Sequence, residues 1–163
     1  MSMKSAVKTF VGVSLFSLCA THAVAQLPNP YGMSIGSETA KKAAAAALAE
    51  ARKNSWTMAA AIVDTSGDLV YFEKVDGTQA ASTMIAVDKA RSAVRFKRPT
   101  KALQDVLAAG GEGLRMLALQ GAVPVEGGIP LIMDGKIVGA IGLSGGTSPQ
   151  DGQCAKAGAD TVK

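Results

Sequence analysis

A candidate serine nucleophile lies near the carboxyl end of the chain, where residues 142–146 read Gly-Leu-Ser-Gly-Gly. This matches the G-x-S-x-G pattern, in which the central residue, here Ser144, attacks an acyl group after a nearby base has taken its proton. The usual base is an imidazole, and the 163-residue sequence contains one histidine, His22. The hydrolase hypothesis therefore depends on whether His22 belongs to the folded protein.

The first 25 residues have the features of a signal peptide. Two lysines give a positive start, residues 10–18 form an uninterrupted run without charge, and residues 23–25 (Ala-Val-Ala) form a small-x-small cleavage site. We therefore expect cleavage before Gln26 and export to the periplasm or the medium. His22 leaves with the signal peptide, so Ser144 has no imidazole to activate it. The sequence disfavours a serine hydrolase.

Cleavage also changes the charge and the thiol count. The remaining 138 residues carry 15 basic and 13 acidic side chains, because two lysines are removed, and Cys154 becomes the only cysteine. A net charge of +2 without interleaved aromatic residues argues against a nucleic acid partner, and one thiol cannot form an internal disulfide. No later stretch reaches about 18 consecutive apolar residues, so no membrane span is expected.

Two glycine pairs could hold an anion. Gly127-Gly128 lies in a turn, and Gly145-Gly146 follows Ser144 just before a predicted helix. Glycines ahead of a helix N-terminus leave N–H groups accessible, which suits a carboxylate or a phosphate. The alternative is that they only turn the chain. The same loops could serve an enzyme that acts on a small organic anion, with four carboxylates as candidates for acid–base chemistry. These are Asp64, Asp76, Glu126 and Asp151.

Three arginines recur along the second predicted helix. Arg91, Arg95 and Arg98 are four and three residues apart, so they are predicted to share one stripe that could bind carboxylates in a bidentate manner. Met84 and Phe96 offer apolar surface nearby. The alternative is a solvated helix face on which Asp88 pairs with Arg91.

Hydrophobic periodicity and turn residues predict the elements that position these side chains. The sequence predicts a first helix, a β-hairpin, two helices, a meander of three short strands and a last helix. Hairpins imply an antiparallel sheet, so the predicted class is α+β with the order α-ββ-αα-βββ-α. The predicted bounds are a helix from 37, strands over 58–63 and 69–75, helices over 81–96 and up to 109, strands over 123–125, 129–133 and 136–143, and a helix from 148 with Ser148 as N-cap.

Three blocks of the sequence carry a family resemblance. They read AAAIVDTSGDLVYFEKVDGT, AVDKARSAVRFKRPTKAL and EGGIPLIMDGKIVGAIGLSGGTSPQDGQCAKAG. They resemble the GlcG/HbpS-type haem-binding domain family, also found as the C-terminal part of some cobalamin adenosyltransferases, over residues 34–160. The resemblance implies a five-stranded antiparallel sheet flanked by helices in a profilin-like topology, and assembly into homo-oligomers. We therefore expect a signal peptide at 1–25, an extended arm at 26–35 and one domain at 36–163.

The resemblance also implies, for some members, haem binding outside the cytoplasm. The arginine stripe would then grip the propionates. Because no histidine remains after cleavage, the iron ligand would have to be another side chain. The candidates are Tyr31, Tyr71, Cys154, a lysine, and Met33, Met58, Met84, Met116 or Met133.

Three classes of function remain open. The first is an exported protein that binds haem or a related tetrapyrrole for uptake, scavenging or sensing. The second is an enzyme acting on a small organic anion held by the glycine loops. The third is an oligomeric interaction module without a small ligand. The residues proposed to bind a ligand are Met84, Arg91, Arg95, Phe96, Arg98, Gly127, Gly128, Ser144, Gly145 and Gly146.

Overall fold

Helices alternate with two β-hairpins along the computed structural model, which describes residues 28–163. The predicted signal peptide, its cleavage site, His22 and Cys19 lie outside the described residues. The described elements are α1 (Ser37–Lys53), β1 (Ala59–Val63), β2 (Leu69–Lys74), α2 (Ser82–Arg95), α3 (Thr100–Ala108), a 3-10 helix (Gly111–Ala118), β3 (Gly128–Met133), β4 (Lys136–Ser144) and α4 (Ser148–Ala159).

The strands form one antiparallel sheet in the order β2-β1-β4-β3. This confirms the predicted α+β class, but the prediction of five strands is wrong, because the described residues contain four. Residues 123–125 form a tight turn instead of a strand: the N–H of Val125 bonds the carbonyl of Val123 at 2.8 Å, and Ser92 Oγ accepts the N–H of Val123. Pro124 between them has no N–H to give to a neighbouring strand.

Helices cover both faces of the sheet. Ala60, Ile62 and Leu143 pack in one cluster with α1 and α4, whereas the intervening Ala59 and Ala61 pack against α2 on the other side. Every residue of β1 is therefore buried, although its strand neighbours are antiparallel. Successive strand residues point to opposite faces, so a strand between two helical layers has no residue left for solvent.

Two glycines allow the helices to approach closely. A Cβ on Gly142 of β4 would overlap the carbonyl oxygen of Ala86 and lie 2.7 Å from the amide nitrogen of Ala90, so the backbone of α2 lies directly on the strand. A Cβ on Gly158 of α4 would lie 2.6 Å from the carbonyl oxygen of Ala43 in α1. The alanine-rich helices thus gain contact through short distances and not through large side chains.

The outer edge of β3 is protected from further pairing. The N–H of Leu143 bonds the carbonyl of Gly127, which turns the polar groups of Gly128 outward, where the hydroxyl of the buried Thr100 bonds both of them. Pro130, two residues on, also faces outward and has no N–H to offer. The β3 edge therefore presents few donors to another strand.

The predicted arm packs against the domain in its described part. Tyr31 forms a parallel bridge with Ile137, at the start of β4 beyond the end of β1. The hydroxyl of Tyr31 donates to the carbonyl of Val94 at 2.9 Å, and Lys97 Nζ lies 4.1 Å from the centre of its ring. These contacts connect the arm to the C-terminal end of α2.

Candidate functional site

A groove runs along the exposed face of α2. It consists of two adjoining hollows, of about 330 Å³ and about 300 Å³, that share Asp88 and Arg91. Because residues three, four and seven apart lie on one face of a helix, a single helix supplies most of its lining. We call it the α2 groove, and its lining residues are Thr83, Met84, Val87, Asp88, Arg91, Arg95, Gly121 and Val123.

The turn between β1 and β2 supports the two groove arginines. Arg91 Nε donates to the carbonyl of Gly67 at 3.0 Å, and a Cβ on Gly67 would lie 3.1 Å from Arg95 Nε. Gly67 has a φ of +92°, which a residue with a side chain rarely adopts. Asp64 Oδ1 shapes the turn by accepting the N–H groups of Ser66 and Asp68. The tip of this hairpin thus lies against the guanidiniums.

Neither groove guanidinium forms an ion pair within residues 28–163. The pairing of Asp88 with Arg91 that the sequence offered as an alternative is absent among the ion pairs of this part of the chain. At the other end of the groove, Met84 is 70% exposed and Val87 is half-buried. The groove therefore combines two guanidinium groups with apolar surface, which suits a ligand that has both carboxylates and an apolar part.

Two of the predicted site residues, Phe96 and Arg98, lie beyond the groove. The helix ends at Arg95, because Lys97 adopts a positive φ of 53° and Pro99 disfavours a helical conformation at Arg98. Arg98 Nε donates to the carbonyl of Phe96 at 3.0 Å. Arg98 therefore does not continue the helical stripe that its spacing predicted.

The glycine loops form a second cluster on the buried side of α2. The N–H of Gly146 donates to Asp151 Oδ1 at 3.0 Å, and Lys89 Nζ lies 2.6 Å from Asp151 Oδ2. A Cβ on Gly127 would lie 2.9 Å from Lys89 Nζ. Ser144 is buried, and its hydroxyl bonds that of Ser82 at 3.0 Å. The anion at this helix N-terminus is thus the chain's own carboxylate.

Sequence reasoning missed Lys89. This lysine is 1% exposed and joins α2 to Asp151 of α4, which is 3% exposed. Burial raises the pKa of the Asp151 carboxyl, while the ammonium of Lys89 and the N–H of Gly146 oppose that shift. A signal was present: Lys89 follows Ala86 by three residues and precedes Ala93 by four, so it interrupts an apolar stripe.

The other candidate groups are dispersed. Asp64 shapes the hairpin turn, the backbone N–H of Glu126 donates to Gln104 Oε1, and Asp76 is exposed. Residues 28–163 contain no cluster of three histidine, cysteine or acidic side chains that could hold a metal ion. No helix in this part of the chain is both long and apolar enough to cross a bilayer.

Cys154 lies in the core between α1 and α4. Its side chain is fully buried, and burial raises the pKa of the thiol from 9.0 to about 11. At pH 8 the thiolate fraction is thus about 100-fold below that of an ordinary thiol, because thiolate content falls tenfold per pKa unit.

We expect iodoacetamide to label folded Cys154 at least about 100-fold more slowly than the urea-unfolded chain. Mass spectrometry of timed samples measures this, and equal rates in both states would contradict it.

The sequence of this chain is similar to a family model and to a known protein. A family model described as haem degrading protein HbpS-like matches residues 35–160. Protein GlcG of Escherichia coli (strain K12) is 34% identical over 100 residues, which cover 61% of this chain and 73% of that protein.

Two solved structures are also similar. A double mutant of Streptomyces reticuli HbpS superposes with a TM-score of 0.74 and 26% identity, covering 98% of this chain and 99% of that one. A PduOC:heme complex gives a TM-score of 0.72 and 26% identity, covering 80% of this chain and 96% of that one.

Proposed function

Because the chain belongs to the HbpS-like family, we propose that it is an exported protein that binds haem or a related tetrapyrrole. The solved complex of PduOC with heme supports a tetrapyrrole ligand. The signal-like residues 1–25 support export to the periplasm or the medium. Uptake, scavenging and sensing are the roles that fit such a protein.

The α2 groove is where we place the ligand. Two guanidiniums without carboxylate partners in the described chain line this groove. Arg91 shares a hollow with the exposed Met84 and the half-buried Val87, and Arg95 lines the adjoining hollow. Tetrapyrroles have the same division, with an apolar ring and carboxylates at one edge. This match is the observation that carries the proposal. Arg91 and Arg95 would bind the propionates in a bidentate manner, and Met84 and Val87 would cover the ring.

Bound haem would supply an iron centre able to exchange electrons or hold a small ligand. The chain's own contribution is to neutralise the two carboxylates and to shield one face of the ring from water. The hairpin tip at Gly67 holds Arg91 in place, so the guanidinium of Arg91 is oriented before the ligand arrives.

We predict that the double variant Arg91→Ala, Arg95→Ala binds haemin at least about tenfold more weakly than the wild type, a loss of about 1.4 kcal/mol. The reason is the removal of both charge-assisted contacts to the propionates. Titration of the protein that begins at Gln26, followed by its Soret absorbance, measures the Kd and the number of sites per subunit.

The control is Arg52→Ala, Lys53→Ala, which removes two positive charges from the last turn of α1. Thermal unfolding of both variants checks whether loss of the Arg91 bond to Gly67 has damaged the hairpin. Equal haemin affinity in the wild type and the arginine variant would exclude the α2 groove as the site.

Haem degradation is the second candidate function, because the family description includes it. The same titration separates the two. A Soret band that persists with reductant and oxygen supports a binding protein, whereas bleaching with release of iron supports degradation. Turnover of a small organic anion at the glycine loops is less well supported, since the N–H of Gly146 already bonds Asp151.

Self-association is part of the proposal. Three leucines are exposed on or just after the 3-10 helix, and a further hollow of about 560 Å³ lies between β3 and the end of α4. Exposed apolar side chains in this number favour contact with another surface. The leucines are Leu114, Leu117 and Leu119.

A further inference from the structure

We propose that Met84 is the axial ligand of the iron, through its thioether sulfur, when a haem occupies the α2 groove. This rests on the proposed function and adds the identity of the iron ligand. The step is a coordination: a lone pair of Sδ forms the iron–sulfur bond and a water molecule leaves the iron, with no change of oxidation state. Three observations carry it, namely position, spacing and the state of the other donors.

The position of Met84 suits this role. Its side chain is 70% exposed although it is apolar, and it lines the same hollow as Val87 and Arg91. A methionine used as core filling would be buried, as Met58 is at 0% exposure. The sulfur of Met84 can therefore reach a ligand in the groove.

The spacing also fits a porphyrin. Met84 precedes Arg91 by seven residues, which places the two on one helix face about 10.5 Å apart along the axis. This length is comparable to the separation between the centre of a porphyrin and its propionate carboxylates. Arg95, one turn further along the same face, can reach the second carboxylate.

Among the alternative iron ligands, both phenols and one buried amine already have partners, and the thiol is inaccessible. The hydroxyl of Tyr31 donates to the carbonyl of Val94, and that of Tyr71 donates to Glu73, a bond that raises the pKa of Tyr71. Cys154 lies in the core, and Lys89 is ion-paired. These groups would each have to break a contact before binding iron.

The other methionine candidates do not line the α2 groove. Met33 and Met133 line a smaller hollow of about 200 Å³, and Met116 belongs to the 3-10 helix. Thr83 and Asp88 are the remaining donors at the groove, and both offer oxygen instead of sulfur. The ligand atom can therefore be identified spectroscopically, because thioether and carboxylate ligands give different signatures.

The test compares haemin complexes of the wild type and Met84→Leu, with Met33→Leu as the matched control. We expect a near-infrared sulfur-to-iron charge-transfer band, seen by magnetic circular dichroism, in the wild type and in Met33→Leu and its loss in Met84→Leu. Affinity for reduced haem should fall at least about tenfold in Met84→Leu alone, because thioether ligands favour ferrous iron. Met84→His should replace the sulfur signature with that of an imidazole ligand and lower the haem reduction potential.

The outcomes separate this inference from the proposed function. Saturable haemin binding without a sulfur band in the wild type, or with a band that persists in Met84→Leu, overturns Met84 as ligand and leaves the proposed function intact. If Met33→Leu alone loses the band, the iron lies at the smaller hollow and both assignments to the groove fail. Absence of saturable haemin binding by the wild type overturns the proposed function and with it the inference.

Discussion

Lys89→Met is expected to lower the free energy of unfolding by about 3–5 kcal/mol at neutral pH, the usual cost of removing one partner of a buried ion pair. Methionine keeps most of the volume of the lysine stem, so the loss reports the charge and not a cavity. The carboxylate of Asp151, 3% exposed, would keep the N–H of Gly146 but lose its counter-ion at 2.6 Å. Urea denaturation followed by circular dichroism measures the difference.

The deficit should depend on pH in a defined direction. Burial raises the pKa of Asp151 above its ordinary 3.8, and Lys89 opposes that shift in the wild type. Loss of Lys89 raises the folded pKa of this carboxyl further, so its contribution to stability is present below the unfolded pKa and is lost as pH rises through the folded pKa. The deficit of Lys89→Met should thus be largest near neutrality and smallest below pH 3.8.

Two further variants serve as controls for the ion pair. Lys42→Met on the exposed face of α1 should stay within about 0.5 kcal/mol of the wild type. Lys89→Met combined with Asp151→Leu should regain most of the loss, because apolar replacement of both partners is often neutral. A deficit below about 1 kcal/mol in Lys89→Met, unchanged between acid and neutral pH, would show that the pair contributes little.

Gly142→Ala should lower the free energy of unfolding by about 3 kcal/mol, the upper end of the usual cost of overpacking. The new methyl group would overlap the carbonyl oxygen of Ala86 and approach the amide nitrogen of Ala90 at 2.7 Å. Both atoms belong to the backbone of α2, so no side chain can rotate away and the helix itself must move. The denaturation experiment used for Lys89→Met measures the change.

Gly36→Ala is the matched control for this substitution. A Cβ at Gly36 would meet nothing within 4 Å, so replacing this glycine should cost at most about 1 kcal/mol as an N-cap change. Because α2 also carries Met84 and Arg91, Gly142→Ala should weaken haemin binding as well. If Gly142→Ala were as stable as the wild type, α2 would be free to lift from β4.

Turn residues and hydrophobic periodicity predicted most of the helices, strands and turns, because the conformation of these elements depends mainly on neighbouring residues. The Asp-Gly pair at 134–135 is typical of a primed hairpin turn, and both residues have the positive φ values that such a turn requires, 48° and 71°. The bounds of β1 and β2 agree with the prediction to within one residue at each end. The strand predicted over 123–125 failed because its edge groups bond Ser92 and the turn itself, a tertiary outcome that alternation cannot show.

The candidate site was predictable only where one element supplies it. Met84 and Arg91 share a face because they lie seven residues apart on one helix. Arg98 lies outside the groove because the predicted arginine stripe required the helix to continue past Arg95, where α2 ends. Lys89 and Asp151 are 62 residues apart and meet around the end of the sheet, so no local pattern links them. In the sequence neither residue differs from the other charged residues, and they form an ion pair only because the fold buries both.

The blocked edge at Pro130 limits how copies of this domain can join through their main chains. With the outward groups of Gly128 taken by Thr100, and no N–H at Pro130, recruitment of a foreign strand is confined to β2, the opposite boundary of the described sheet. Two copies that pair their β2 edges about a two-fold axis leave no open β2 edge for a third copy. Fibre growth through strand pairing, which needs two open edges per subunit, is therefore disfavoured.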